Sequence, residues 1–462
     1  MVIGTKWRGL AALAAALALS TSSSAMAADL GGDCCADLEE RIAELEATTA
    51  RKGNRKVSLE IGGQVNEALM FWDDGVESNM YQVTNDDART RFRFKGKAKI
   101  NADWEAGYAI EVGIRTARSN RVNQNNDDAG EGPDLRDSYW FLKSKTYGGV
   151  SMGMQGTATD QITETNFSQT KDFSKLSDME DHGLSMLLRN ADTGALASGA
   201  GSSSLAFRNL LGGDGDQPGD GDRRSNVVKY ETPEFAGFAA QVAWGEDDVW
   251  DVALRYAGEM HGVKIAAGIG YGESTDGSYV GIDCVGGLAA AGSDKKCNNF
   301  GGSIMAMHVD TGLYVGFGAG VKTDDLMDDN PTFAGVSPDD DQEFWSLQAG
   351  LERKFIALGK TTIYGEYYNY EGGSSGTQSV AAGTGLNPGG PAAQVWSTGL
   401  ESYGFGIAQG IDAAAMVLYL SYRHTEADLD LRDLNAGVAD GAIRSVDLED
   451  LDVIMTGGII RF

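Results

Sequence analysis

The sequence is poor in the residues that metal centres and covalent scaffolds need. Its 4 histidines, His182, His261, His308 and His424, stand far apart and make no metal-ligand spacing. No metal and no cofactor is therefore expected. Its 4 cysteines are too few for a disulfide scaffold in a chain of 462 residues. Proline is scarce, at 7 residues, so little interrupts extended backbone. Outside the N-terminus there is no apolar run of about 18 residues, which excludes a bundle of membrane-spanning helices. Cations are outnumbered, with 38 Lys and Arg against 67 Asp and Glu, for a formal net charge of −29 at pH 7. Such acidity argues against a nucleic-acid partner.

What the chain has instead is glycine, 63 residues of it, and alternation of apolar with polar side chains. Strand-like windows recur from Val57 to the last residue: 57–71, 88–101, 104–118, 135–146, 149–158, 224–232, 237–246, 248–257, 262–271, 299–309, 313–322, 343–355, 361–370, 394–407, 412–425 and 449–462. Connections after even-numbered windows are tight turns. Most after odd-numbered ones are long, polar and acidic, with a short exception near Glu246-Asp247. An even strand count with short turns on one side and long loops on the other is the layout of a bacterial outer-membrane barrel. The expected fold is all-β, a 16-stranded antiparallel transmembrane barrel over 57–462.

The faces of single strands support this. In ARTRFRFKGKAKI, Arg89, Arg91, Arg93, Lys95, Lys97 and Lys99 share one side, while Thr90, Phe92, Phe94, Ala98 and Ile100 share the other. Cations facing lipid would each cost about 2–4 kcal/mol at mid-membrane, so this face must meet water inside. The strand at 104–118 turns Trp104, Tyr108, Ile110, Val112 and Ile114 outward, and Glu105, Glu111 and Arg115 inward. The final window, LDVIMTGGIIRF, is an apolar strand ending on Phe462. An unpaired edge of this kind invites aggregation, and closing a barrel removes it. A strand ending on Phe also resembles outer-membrane barrels, whose assembly machinery reads that residue; Phe462 is expected to serve so.

The N-terminal segment reads differently. Lys6 and Arg8, the apolar stretch GLAALAAALAL and Ala25-Met26-Ala27 make residues 1–27 an expected secretory signal peptide. In residues 28–56, Cys35, Leu38, Ile42, Leu45 and Thr49 recur at spacings of three and four, the seam of a short coiled coil. Two heptads do not hold a helix together alone, which points to parallel chains held side by side by something larger, the alternative being a single amphipathic helix lying on the barrel mouth. A basic linker, 51–56, follows. This leader is expected in the periplasm.

The order and spacing of several segments resemble the alphaproteobacterial, rhizobial-type general porin family. They are the leader with its linker, ARTRFRFKGKAK, RDSYWFLK, the insert at 159–223, DRRSNVVKYETPEFAGF, GEDDVWDVALRYAG, GIDAAAMVLYLSYRH and the final Phe. The resemblance implies a homotrimer of outer-membrane barrels, each a passive diffusion channel for small hydrophilic solutes and ions. It implies that 159–223 is a third loop folded inside the barrel. It implies basic wall residues at Arg91 and Arg136, with Arg89, Arg93 and Lys229 beside them, and opposing acids on the insert among Asp160, Glu164, Asp178, Glu180 and Asp181. Gly153-Met154-Gln155 stands where many of that family have Gly-Arg-Gln, so one wall cation is missing. The acidic total favours mild cation preference, and the basic wall argues against it.

Cys284 and Cys297 flank a long loop of an exported chain and are expected to form a disulfide. Adjacent Cys34 and Cys35 cannot bridge easily to each other; they are either paired between chains or free. Asp214, Asp216, Asp220 and Asp222 fail the EF-hand spacing and read as a solvated acidic loop. Ser421 and His424 could suggest a lipid hydrolase, but residues three apart on a strand face opposite ways, so no catalysis is expected. Two alternatives remain for function: a solute-selective channel, and a structural tether to peptidoglycan through Ala28.

Overall fold

A computed structural model describes residues 56–197, 205–211, 217–221, 224–245, 249–274, 296–325, 340–373, 379–434 and 441–462. The signal peptide, the coiled-coil leader, Ala28, Cys34, Cys35 and Cys284 lie outside the described residues, as does the short connection near Glu246-Asp247.

Alternation along the chain becomes one antiparallel sheet closed on itself. In chain order the strands are β1 (Glu60–Asp73), β2 (Ser78–Thr84), β3 (Arg91–Lys99), β4 (Trp104–Arg115), β5 (Gly132–Ser144), β6 (Gly148–Gly156), β7 (Arg224–Glu231), β8 (Phe238–Gly245), β9 (Trp250–Met260) and β10 (Val263–Ser274). They continue with β11 (Cys297–His308), β12 (Leu313–Asp324), β13 (Asp341–Ile356), β14 (Gly359–Gly373), β15 (Ser379–Val380), β16 (Ala393–Ile411), β17 (Met416–Asp433), β18 (Ile443–Val446) and β19 (Leu451–Arg461). The sheet closes where β1 pairs with β19, from Gln64 opposite Arg461 to Asp73 opposite Asp452. The Phe462 amide still donates to the Gly63 carbonyl at 3.1 Å, so pairing runs to the last residue.

The wall has 16 staves, as expected. β2 and β3 both pair with β1 and together make the second stave. β18 and β19 both pair with β17 and make the last. β15 is a two-residue annex on β16. The second stave is broken at Asp86–Ala88, where the Asn85 side chain accepts from the Asp87 amide at 3.0 Å and caps a single 3-10 turn. There the Thr90 hydroxyl, not a backbone carbonyl, accepts the Asn66 amide at 3.0 Å. The expected strand start at Ala88 therefore moves to Arg91.

Exposure alternates as a membrane barrel requires. Leu69 and Phe71 on β1, Trp345 and Leu347 on β13, Phe405 and Ile407 on β16 and Leu418 and Leu420 on β17 are exposed. Their neighbours Asn66, Ser346, Gln348, Ser402 and Ser421 are buried. Soluble proteins do not carry an apolar surface of this extent, whereas lipid requires it. Aromatic pairs mark both rims. Phe238 and Tyr256, 4.7 Å apart, stand at the short-turn end, and Trp345 and Tyr367, 5.0 Å apart, at the long-loop end.

Candidate functional site: a charged passage between the insert and the wall

The site begins with a bulge. The β4–β5 register shifts between Glu111 and Val112, which pair with Asp137 and Leu135, so Arg136 is the extra residue. A bulge re-aims side chains. Here it turns Arg136 onto the inward Glu111, whose Oε1 accepts from Arg136 Nε at 2.9 Å. Arg93 also pairs with Glu111, and Arg91 lies 3.6 Å from it. One almost fully buried carboxylate thus holds three arginines from two neighbouring staves. Arg89 lies outside this group. It reaches Asp86 at 3.4 Å and Asp134 at 3.6 Å, and Asp86 is shared with Arg115 and Arg118. Lys229 stands apart, donating to the Gly156 carbonyl at 2.6 Å.

The insert that follows β6 hydrogen-bonds to a long arc of wall. The Ala158 and Thr159 amides donate to Asp251 of β9 at 3.1 and 2.7 Å. The Thr165 amide donates to Ser303 of β11 at 2.9 Å, and the Gln169 amide to Glu352 of β13 at 2.8 Å. Ser174 donates to Glu366 of β14 at 2.9 Å, and Arg423 of β17 donates to Ser174 at 3.0 Å. Thr398 of β16 donates to the Leu210 carbonyl at 2.8 Å. Asp172 pairs with Arg461 of β19, and its carbonyl accepts from Asn66 of β1 at 3.1 Å. Gly219, at φ +86°, passes so close to β11 and β12 that a Cβ would lie 2.7 Å from the Gly301 Cα. No other residue fits there.

The contacts behind the insert are apolar. Phe173, Met179, Leu184, Met186, Phe207 and Leu210 are buried in one cluster with Tyr314, Phe344, Tyr364, Tyr368, Tyr370 and Tyr419 of the wall. Phe173 stacks on Tyr419 with ring centroids 4.7 Å apart.

The insert's acids are placed as follows. Asp160 sits at the insert's start, where its carbonyl accepts from Arg255 at 2.6 Å. Glu164 is bound by Lys175 at 3.0 Å, and Lys175 also pairs with Asp178. Asp178 has φ 61°, a left-handed conformation held by Gln217, which donates to it at 2.9 Å. Burial pushes the Asp178 carboxyl up, but Lys175 outweighs it and the group ends below its usual range. Glu180 and Asp181 are buried in the turn Met179–His182. Asp181 is raised well above the usual range by burial and by Asp86, and accepts from Asn120 at 2.6 Å. His182, lowered by burial and then by Arg423, faces Asp87 at 3.8 Å and Ser421 at 3.1 Å.

A cavity of about 230 Å³ separates wall from insert, with Arg89, Arg91 and Arg136 on one side and Glu164, Asp172, Lys175 and Asp181 on the other. The sequence-derived residues Arg89, Arg91, Arg136, Glu164 and Asp181 meet there. Lys229 and Asp160 do not line it, nor do Asp178 and Glu180. Sequence reasoning assigned no role to Glu111, although its parity already turned it inward. It also missed Arg461 and Lys175. Lys175 stands three residues from Asp178, the one local sign of that pairing. Asp220, expected to be solvated, is instead buried and accepts the Gln161 and Thr163 amides at 2.9 and 3.0 Å, because the chain returns past the insert's start. Ser421 faces inward to His182, whereas His424 bonds Asp452 at 2.9 Å, so the two share no face. Cys297 is buried at the start of β11.

No sequence among curated proteins matches the chain. Among solved structures, the chain is similar to an anion-selective porin from Comamonas acidovorans, with a TM-score of 0.50 and 13% identity over 88% of this chain and 100% of that one. It is also similar to OmpT, an outer membrane protein of Vibrio cholerae (TM-score 0.49, 11% identity, 89% and 99% covered). A third is the outer membrane channel DcaP of Acinetobacter baumannii (TM-score 0.47, 12% identity, 90% and 100% covered). The first of these likenesses shows a shared fold. The sequence profile of the Gram-negative porins matches residues 10–428, most of the chain. With its closed 16-stave wall and lipid-facing belt, the chain belongs to the Gram-negative porin family and is a diffusion channel of the outer membrane.

Proposed function

We propose that this channel is a homotrimeric general porin of the alphaproteobacterial type, in which the insert 159–223 folds inside each barrel and sets the narrowest point. The observation that carries this reading is the cavity of about 230 Å³ bounded by Arg89, Arg91 and Arg136 on one side and by insert residues on the other. An insert bonded to β9, β11, β13, β14, β16, β17, β19 and β1 spans more than half the circumference of a closed wall. Only a path across the lumen reaches all of those inward side chains. Fixed charges beside a narrow aqueous path select ions and orient dipolar solutes. Such a path needs no cofactor and makes no bonds. In the same reading, residues 28–56 are a periplasmic leader, and Cys297 pairs with Cys284 to close an outer loop.

Single-channel recording in planar bilayers tests this. Wild type should show ohmic steps in groups of three. A variant with the insert replaced by a short Gly-Ser link should show larger steps. Unchanged conductance in that variant would refute the constriction, and single independent steps would refute the trimer.

A further inference from the structure

We propose that the passage selects small anions, carboxylate- or phosphate-bearing solutes among them, because the charge it presents to water is positive along its length. This rests on the constricted-pore reading above.

The interior is divided. On the arc from β9 round to β17, the insert packs on the wall through buried side chains such as Phe173, Leu210, Tyr364 and Tyr370. The wet part lies against β3–β7, with β1 and β19 beside them. Three cavities follow one another there, of about 230, 310 and 430 Å³. The first two share Arg91, and the second and third share Glu60 and Lys95, so they form one path.

Acids and cations along this path are not equivalent. The acids serve as anchors. Side-chain exposure is 0% for Asp86, 1% for Glu111, 4% for Glu164 and 12% for Asp172, and each pairs with a cation. Asp181 is buried and accepts from Asn120. Arg136 and Lys175 are buried as well, but the other arginines keep surface: 17% for Arg89, 23% for Arg91 and 36% for Arg93. Lys95, Lys97 and Lys171 are exposed, and none forms an ion pair among the described residues. Glu60, Glu105 and Glu231 are the acids left facing the path, against a larger set of cations that also includes Lys143 and Lys229.

The formal charge of −29 misleads because many acids lie elsewhere. Asp341, Glu343, Glu371, Glu401 and Asp428 are exposed on the outward side of the staves, near their long-loop ends. A pore ion is separated from them by the wall. It passes within contact distance of the lysines, and a field of one sign in a low-dielectric cleft concentrates the opposite ion.

The test is the reversal potential of the purified full chain in planar bilayers across a tenfold KCl gradient. At a mean of about 0.1 M salt, where the Debye length is about 10 Å, the potential should have the sign of chloride permeation. At about 1 M, with a Debye length near 3 Å, it should shrink toward zero. Lys95→Glu/Lys97→Glu should move it toward potassium, whereas Glu343→Gln/Asp428→Asn on the outer face should leave it unchanged. Inorganic phosphate should reduce the wild-type chloride current and should do so less in the lysine variant. Potassium selectivity in wild type, or no shift in the lysine variant, would overturn the inference and leave the diffusion channel standing. Folded protein that opens no channels would overturn the channel reading and the inference with it.

Discussion

Replacing Phe173 with alanine should free the insert without opening the barrel. Phe173 is fully buried, stacks on Tyr419 at 4.7 Å with ring planes 7° apart, and meets Tyr364 edge-on at 5.9 Å. Truncating a buried Phe costs about 3–5 kcal/mol, and an aromatic pair of this geometry adds about 0.5–1.5 kcal/mol beyond area. The sheet's own hydrogen bonds do not involve this side chain, so the loss falls on the docking of the insert. Even 3 kcal/mol raises the undocked fraction roughly a hundredfold. Limited proteolysis reads that fraction when opening is fast relative to cleavage. Phe173→Ala should therefore be cut within 159–223 far faster than wild type while the rest of the barrel stays resistant. Its single-channel current should be noisier. Phe405→Ala, on the lipid face, serves as the control. Equal cutting of Phe173→Ala and wild type, with equally quiet currents, would refute the idea that an apolar seal holds the insert.

Other expectations follow from the same contacts. Glu111→Gln leaves Arg91, Arg93 and Arg136 without their shared countercharge. Breaking a buried pair by removing one partner costs about 3–5 kcal/mol, so this variant should lose heat resistance of the folded band on gels and shift the reversal potential further toward chloride. An unchanged potential would mean that the three arginines do not face the permeating ion. The pH response has two opposed parts. His182 is lowered from 6.5, so the undocked insert takes up a proton that the docked one refuses, and docking weakens as pH falls below about 6.5 toward that lowered value. Asp181 is raised from 3.8, so its penalty is relieved as pH falls from the raised value toward 3.8. His182→Gln should thus be cleaved less readily than wild type at pH 5.5 relative to pH 7.5; identical ratios would count against the histidine. For the proposed Cys284–Cys297 bond, iodoacetamide should label neither residue until the unfolded chain is reduced. Labelling of both before reduction would rule the bond out.

How much of this was legible before the structure depends on the distance over which each feature is decided. Stave positions are decided locally, because lipid on one side and water on the other impose period two on every strand. The windows at 104–118 and 313–322 therefore lie close to β4 and β12. β2 was missed because SNMYQVT is short and Met80 is the one apolar residue among its outward positions, between Ser78 and Gln82. Arg136 was found through resemblance, but its aim depends on a bulge that only the pairing of two strands reveals. The glycine at 219 says nothing of its role until β11 and β12 are placed beside it.

The insert's acids are the instructive case. Read along the chain, Glu164, Asp178, Glu180 and Asp181 look like a negative rim facing a positive wall. But the same segment carries Phe173, Leu176, Met179, Leu184, Met186 and Leu188, which dock only by entering a dry layer. A segment that docks takes its carboxylates with it, and a buried carboxylate must be paired or protonated. Lys175 and Arg461 supply the pairing for Glu164, Asp178 and Asp172, and Asp181 is raised. The apolar residues of the insert thus decide the sign of the pore. By drawing their neighbouring acids into buried ion pairs, they leave Arg89, Arg91, Arg93 and the wall's lysines to outnumber the acids that meet water.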